Sequence, residues 1–305
     1  MKTEKTKLFL LALLSTFSLS PSALLHAATT IDPFNKYVWG ANLGWLDWSG
    51  GSGQTATGAV ISQYVCSGYI YSANVGWINL GSGSPANGIQ YQNNSATDFG
   101  VNLDAFGNLR GYAYGANIGW INFETNGAPA INMINGQMNG YVWSANCGWI
   151  SLSNAVAYVQ TDSITPGALA PNGLPIAWLL LNFGTTNINA NADPTGKGMT
   201  IGQDYLAGTD PNNVNSIFRI TAENISFFSG GFAGPSGTTA ALTWDSVPTR
   251  FYHIQKTTGL SSPVWNDSGL GLVSPAAGAT TSASFNDTNA PARFYRVQAV
   301  RPLIP

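Results

Sequence analysis

The stretch GYVWSANCGWISL, from Gly140 to Leu152, occurs three more times in altered form: YVWGANLGWLDW from Tyr37, GYIYSANVGWINL from Gly68 and GYAYGANIGWINF from Gly111. Each copy reads as a β-hairpin. In the second copy Tyr69, Ile70 and Tyr71 form one strand, and Trp77, Ile78, Asn79 and Leu80 form the next. SANVG between them is a tight loop. Gly76 supplies the positive φ such a loop needs, and Asn74 is expected to bond its own backbone as an Asx-turn. Side chains alternate across a strand. Ile70, Ile78 and Leu80 therefore share one face, and Tyr69, Tyr71, Trp77 and Asn79 share the other. Pairing across the turn sets Tyr71 opposite Trp77 and Tyr69 opposite Asn79.

The other copies divide in the same way. The aliphatic face holds Val38/Leu46, Ala113/Ile121 and Val142/Ile150. The aromatic face holds Tyr37/Trp39/Trp45/Asp47, Tyr112/Tyr114/Trp120/Asn122 and Tyr141/Trp143/Trp149/Ser151. The turn residues Asn42, Asn74, Asn117 and Asn146 are 32, 43 and 29 residues apart, so loops of unequal length hang on one repeated unit. A second short apolar segment precedes three of the copies: GAVI (58–61), GVNL (100–103) and AINMI (130–134). The expected unit is three short antiparallel strands, with the first copy truncated as terminal repeats often are.

Outside the repeats, residues 1–28 carry Lys2, Lys5 and Lys7 ahead of the apolar run Leu8 to Leu14, then LLHAA. This pattern predicts a secretory signal peptide cleaved near Ala27 or Ala28. The run is too short to span a membrane, and no later segment is long and apolar enough. From residue 28 onward nine Lys/Arg face thirteen Asp/Glu, a net charge of −4, and residues 29–155 hold only Lys36 and Arg110 as cations. Phosphate neutralisation needs more than that, which argues against nucleic acid as a partner.

The expected organisation is all-β with a short helical insert: a four-copy β-repeat domain (29–155), a linker (156–175), a helical segment (176–214) and a β-sandwich (215–305). LPIAWLLLNFG (174–184) predicts a helix with Pro175 in its first turn and Gly184 stopping it. Alternating segments such as AALTWDSV and FYHIQKTT, separated by turn signals, predict a sandwich of the fibronectin III or immunoglobulin kind.

The pattern G-Y-A-[WY]-[SG]-x-N-x-G-W-I resembles a repeat of uncharacterised secreted bacterial proteins. LPIAWLLLNFGT, DYLAGTDPNN…SIFRIT, TWDSVPTRFYHIQKTT and RFYRVQAV resemble the carboxy-terminal modules of secreted proteins from Verrucomicrobia and related polysaccharide-degrading bacteria. The resemblance implies architecture and location but no reaction. Modules of this type usually carry a D-x-D-x-D-G calcium loop with an acidic residue at its twelfth position. Here Asp193, Thr195, Lys197, Gly198 and Asp204 occupy that register. Gly198 and Asp204 fit, but Lys197 sets an ammonium where an oxygen ligand belongs. No cofactor is expected, and calcium only if the loop tolerates that lysine.

His253 is the one histidine beyond residue 28, so a multi-His zinc site cannot be built. Two carboxylates suffice for a glycosidase, and Asp47 and Glu124 are the weak candidates. Asp47 stands where other copies have Asn79, Asn122 and Ser151. Cys66 and Cys147 are a disulfide candidate in an exported chain, provided neighbouring repeats are antiparallel or staggered.

Two readings of the aromatic face compete. In the first the face is buried against neighbouring repeats or a second sheet. In the second Trp39, Trp45, Tyr71, Trp77, Asn79, Tyr114, Trp120, Asn122, Trp143 and Trp149 bind sugar, with rings stacking on C–H faces and amides meeting hydroxyls. The leading functional expectation is a secreted, non-catalytic surface or matrix protein, extracellular, cell-surface or periplasmic, whose repeats bind polysaccharide or cell-surface glycans. The alternatives are a carbohydrate-active enzyme using Asp47 and a purely structural surface module.

Overall fold

A computed structural model describes residues 29–51, 58–228, 237–288 and 293–304; the expected signal peptide lies outside them. The four hairpins form where the repeats place them: Ile31–Gly40 with Gly44–Asp47, Cys66–Ser72 with Gly76–Ser82, Leu109–Gly115 with Gly119–Asn122, and Tyr141–Ser144 with Gly148–Ser151. The expected register holds, with Tyr71 opposite Trp77 and Tyr69 opposite Asn79. The turn glycines Gly44, Gly76, Gly119 and Gly148 take φ of 72–78°, a region closed to most side chains.

The hairpins pair side by side in chain order, and Gly40 opposite Ile150 joins the fourth to the first. The result is a closed eight-stranded barrel. At this strand number the interior is just wide enough for side chains to fill it. Val38, Leu46, Ile70, Ile78, Ala113, Ile121, Val142 and Ile150 do so. The next layer is Trp48, Leu80, Phe123 and Leu152, one from each hairpin at the same repeat position and all buried. Large rings from the first and third hairpins alternate there with leucines from the second and fourth.

The turn asparagines do not bond their own backbone as the Asx-turn reading expects. Each amide reaches the neighbouring hairpin. Asn74 Nδ2 donates to the Leu43 carbonyl at 2.9 Å, Asn117 to Val75 at 3.0 Å, Asn146 to Ile118 at 3.0 Å, and Asn42 to Cys147 at 3.1 Å. These four bonds form a ring around one end of the barrel. The residues whose carbonyls accept them turn inward and cap the core. Bulky Leu43 and Ile118 sit over Gly40 and Gly115, while the smaller Val75 and Cys147 belong to the hairpins carrying Ser72 and Ser144 at that position.

The three-strand units are present. Val60–Ile61 pairs with Cys66–Ser72, Val101–Leu103 with Leu109–Gly115, and Ala130–Ile131 with Met138–Asn139. The truncated first unit borrows its third strand from Val159–Thr161. The expected linker over 156–175 therefore begins inside the barrel sheet. Cys66 and Cys147 are buried free thiols, correcting the disulfide expectation. Cys147 caps the turn end, whereas Cys66 lies at the opposite end of its seven-residue strand, about 20 Å of chain away against the roughly 7 Å a disulfide allows. Burial pushes the Cys66 thiol up to about 12.

Beyond the barrel, helices α1 (Ile176–Phe183) and α2 (Ile201–Ala207) enclose Leu174, Trp178, Leu179, Ile201 and Tyr205. The sandwich is two three-stranded antiparallel sheets, with Gly237–Asp245 central in one and Phe251–Thr257 central in the other. Leu242, Trp244 and Phe285 from the first meet Tyr252, Ile254 and Val297 from the second. Arg250 ties the modules together by donating to the last carbonyls of α2, Tyr205 (2.6 Å) and Leu206 (2.8 Å). A cation there also suits the helix dipole. The Tyr205 hydroxyl donates to Gln63 of the barrel at 2.9 Å.

The ring makes a direct prediction. The Val75 carbonyl accepts its side-chain bond from Asn117, whereas Leu43 accepts from both Ser72 and Asn74. Asn117→Ala should lower stability by about 0.5–1.5 kcal/mol, the net worth of one such bond. In urea unfolding this appears as a lower midpoint with an unchanged slope.

Candidate functional site

Closing the barrel puts the aliphatic face inside and the aromatic face in water. This overturns the packing expectation for the second face. Trp39, Trp45, Trp77, Trp120, Trp143 and Trp149 are 38–51% exposed, and Tyr37, Tyr69, Tyr114 and Tyr141 lie in a similar range. Core cannot account for them.

The pairing arranges them in four equivalent rows, each crossing four strands and two hairpins. The first runs Tyr37, Asp47, Tyr71, Trp77. The second runs Tyr69, Asn79, Tyr114, Trp120. The third runs Tyr112, Asn122, Trp143, Trp149. The fourth runs Tyr141, Ser151, Trp39, Trp45, where Ser151 faces Trp39 one step beyond the Gly40–Ile150 pair. A row is about 14 Å across at normal strand spacing. Within each hairpin the Trp of the second strand stands edge-on to the first Tyr at 6.0–6.4 Å: Tyr37–Trp45, Tyr69–Trp77, Tyr112–Trp120 and Tyr141–Trp149. Tyr71–Trp77 and Tyr114–Trp120 are closer, at 4.9 Å. The rings are fixed by one another and leave faces open to solvent.

The polar member of each row has a backbone duty that the sequence reading did not assign. Asp47, Asn79 and Asn122 each accept the N–H two residues on, from Ser49, Gly81 and Glu124. Ser151 donates to the Ser153 carbonyl. Asn79 and Asn122 keep their amide N–H groups free of protein partners among the described residues. They can donate to a ligand, and each oxygen keeps one lone pair beyond its backbone bond.

The acid candidates are similarly occupied. Asp47 is buried, pairs with Lys36 Nζ at 3.3 Å and accepts from the Ser49 hydroxyl at 2.7 Å. Partial burial works against the Lys36 ammonium, but the Asp47 carboxylate outweighs it and holds that group above its ordinary value. Glu124 accepts the Gly111 N–H at 2.9 Å. Both carboxylates close the bases of hairpins. His253 lies in the sandwich against Asp267, remote from the aromatic rows in sequence and in sheet.

In the calcium-type loop the ammonium takes a central position. Lys197 Nζ meets Asp204 Oδ1 at 2.8 Å, the Asp210 carbonyl at 2.6 Å and the Asn213 carbonyl at 3.4 Å. The Lys197 and Asp204 side chains are 0% and 1% exposed. Asp193 turns to the N–H groups of Lys197 and Gly198 and to the Thr195 hydroxyl. Burial opposes its ionised form, but these donors hold its carboxyl below the usual range. Oxygens of the kind that bind a hard cation here surround a tethered one. No cluster of three or more His, Cys, Asp or Glu occurs among the described residues. None of their helices is long and apolar enough to cross a membrane.

No family model, curated protein or solved structure matches the chain.

Two predictions follow from this geometry. Trp77→Ala should cost only about 0.5–1.5 kcal/mol, the scale of an aromatic pair, whereas Ile78→Ala beside it should cost about 2–5 kcal/mol as a core truncation. Chemical denaturation of both variants checks the contrast, and equal costs would place Trp77 in the core. Lys197→Ala should cost about 3–5 kcal/mol by stranding the buried Asp204 carboxylate, and adding Asp204→Asn should recover most of it. Calcium or chelator should leave the wild-type melting temperature unmoved.

Proposed function

We propose that this chain is a secreted, non-catalytic glycan-binding protein whose barrel presents four equivalent aromatic rows to neutral polysaccharide. One observation carries the reading: ten Trp and Tyr side chains stand exposed on a closed sheet, in rows that each include a polar residue. Exposed apolar surface on this scale marks an interaction site. Rings fixed at right angles offer the flat faces on which sugar C–H groups stack, and the free amides of Asn79 and Asn122 suit hydroxyl oxygens. The scarcity of charge on the barrel favours a neutral ligand. The export-type pattern of residues 1–28 supports secretion.

An aromatic belt also occurs where barrels meet lipid, but that setting needs strands of about 9–11 residues. Seven of the eight barrel strands have four to seven. The enzyme reading is weakened because Asp47 and Glu124 are engaged with Lys36 and backbone.

The test is retention of the exported protein on insoluble cellulose, chitin, xylan and starch. Wild type should be held by at least one. Trp77→Ala, Trp120→Ala and Trp149→Ala should weaken retention stepwise while each variant stays folded, because linked weak sites act together. Retention on none of the four would leave the structural-module reading, and retention indifferent to all three substitutions would overturn the rows as the binding surface. Release of reducing sugar by wild type but not by Asp47→Asn would establish the enzyme instead.

A further inference from the structure

Where the first strand pairs with Val159–Thr161, just beyond the fourth hairpin, the barrel surface holds a cleft of about 530 Å³ lined by Phe34, Asn35, Tyr37, Trp45, Val156 and Tyr158. Its floor is the Tyr37–Trp45 pair, rings 6.3 Å apart and inclined at 74°. Its sides are two short loops built alike. In one, Asp32 Oδ1 accepts the N–H groups of Phe34 (2.9 Å) and Asn35 (2.6 Å). In the other, Asn154 Oδ1 accepts those of Val156 (2.8 Å) and Ala157 (2.9 Å). Each loop spends an Asx-turn to hold one apolar side chain out in water, Phe34 at 85% and Val156 at 87% exposure.

The first loop exists because the pairing slips. Ile31 faces Thr161 and Lys36 faces Val159, so the intervening residues of the first strand bulge from the sheet. Bulges of this kind re-aim side chains. Neither exposed side chain contributes to the core, and two rigid loops that both display apolar tips beside open rings describe a binding cleft. Its volume falls in the range of about 300–1,000 Å³ typical of small-ligand sites.

We infer that this seam cleft is a discrete site for a short neutral oligosaccharide, distinct in kind from the shallow rows. The inference rests on the glycan-binding reading. The cleft is continuous with the aromatic rows, since Tyr37 belongs to the first and Trp45 to the fourth. The Lys36 ammonium beside Tyr37 is matched by Asp47, and the Asp32 carboxylate stands in one wall, so the site disfavours anionic ligands. The Tyr37 and Tyr158 hydroxyls and the Asn35 amide supply polar groups at an otherwise apolar wall, the pairing a sugar ring needs. A concave site gives a soluble ligand contacts on several sides, whereas a flat row gains strength only through repetition along an insoluble chain.

The experiment is calorimetric titration with cellotetraose, chitotetraose, xylotetraose and maltotetraose, beside retention on the parent polysaccharides. Wild type should bind at least one tetrasaccharide at one site per chain. Phe34→Ala with Val156→Ala should weaken that binding at least tenfold without moving the melting temperature. Trp77→Ala should leave tetrasaccharide affinity unchanged while reducing polysaccharide retention. The inference is overturned, with the glycan-binding reading intact, if polysaccharide is retained but no tetrasaccharide binds, if the Phe34/Val156 variant binds tetrasaccharide as wild type does, or if Trp77→Ala weakens that binding equally. Neither retention nor binding would overturn both.

Discussion

Four side-chain amides at the turn end of the barrel hold each hairpin to the next. A tight turn leaves its outermost carbonyl beyond the reach of the strand ladder. In this chain the following hairpin's asparagine satisfies it, and the first hairpin's Asn42 does so for the last. Each bond fixes how one hairpin is rotated against its neighbour. That rotation decides which face points inward, so the ring and the core depend on each other. The inward turn of Leu43, Val75, Ile118 and Cys147 then seals the end with apolar side chains instead of solvent.

Once the aliphatic face is inside, the aromatic face has nowhere to go but outward. The fold does not need it there. Cross-strand aromatic pairs add modest local stability, yet smaller residues would serve a hairpin. The cost is a band of half-exposed rings on a protein with few surface charges. Few barrel cations and carboxylates are left to interrupt that band, and Lys36 and Asp47 neutralise each other beside it. The carboxy-terminal modules solve a different problem. Lys197 gives the helical segment a built-in counter-ion, and Arg250 joins that segment to the sandwich through backbone carbonyls.

The hairpins, their register and the division of faces were legible in the sequence, because alternation and turn chemistry are local. Tyr71 opposite Trp77 needed nothing beyond the chain between them. The helix over Ile176–Phe183 was equally local, with Pro175 before it and Gly184 after. Which face meets water was not legible, since period-two alternation defines two faces without ranking them. Closure into a barrel was hidden for the same reason. The second helix carried a signal that went unread: Thr200 and Gln203 form a capping box, the S/T-x-x-E/Q signature, within a segment read as a calcium loop. Asn79 and Asn122 looked like ligand groups because sequence alone does not reveal that their oxygens serve the backbone. Phe34 and Val156 gave no sign at all, being 122 positions apart and joined only by the seam.

The seam also orders events in time. Three of the four hairpin junctions join consecutive units, and each hairpin closes over a loop of a few residues, an event of microseconds. The junction of the fourth hairpin with the first brings together residues 105 positions apart. Contacts so distant must first meet the entropy of closing a long loop, and they slow folding accordingly. A nascent chain can therefore display its first three aromatic rows while its last junction, and with it the fourth row, is still unmade. The seam cleft has one wall from each side of that junction, so it comes into being only when the circle is complete.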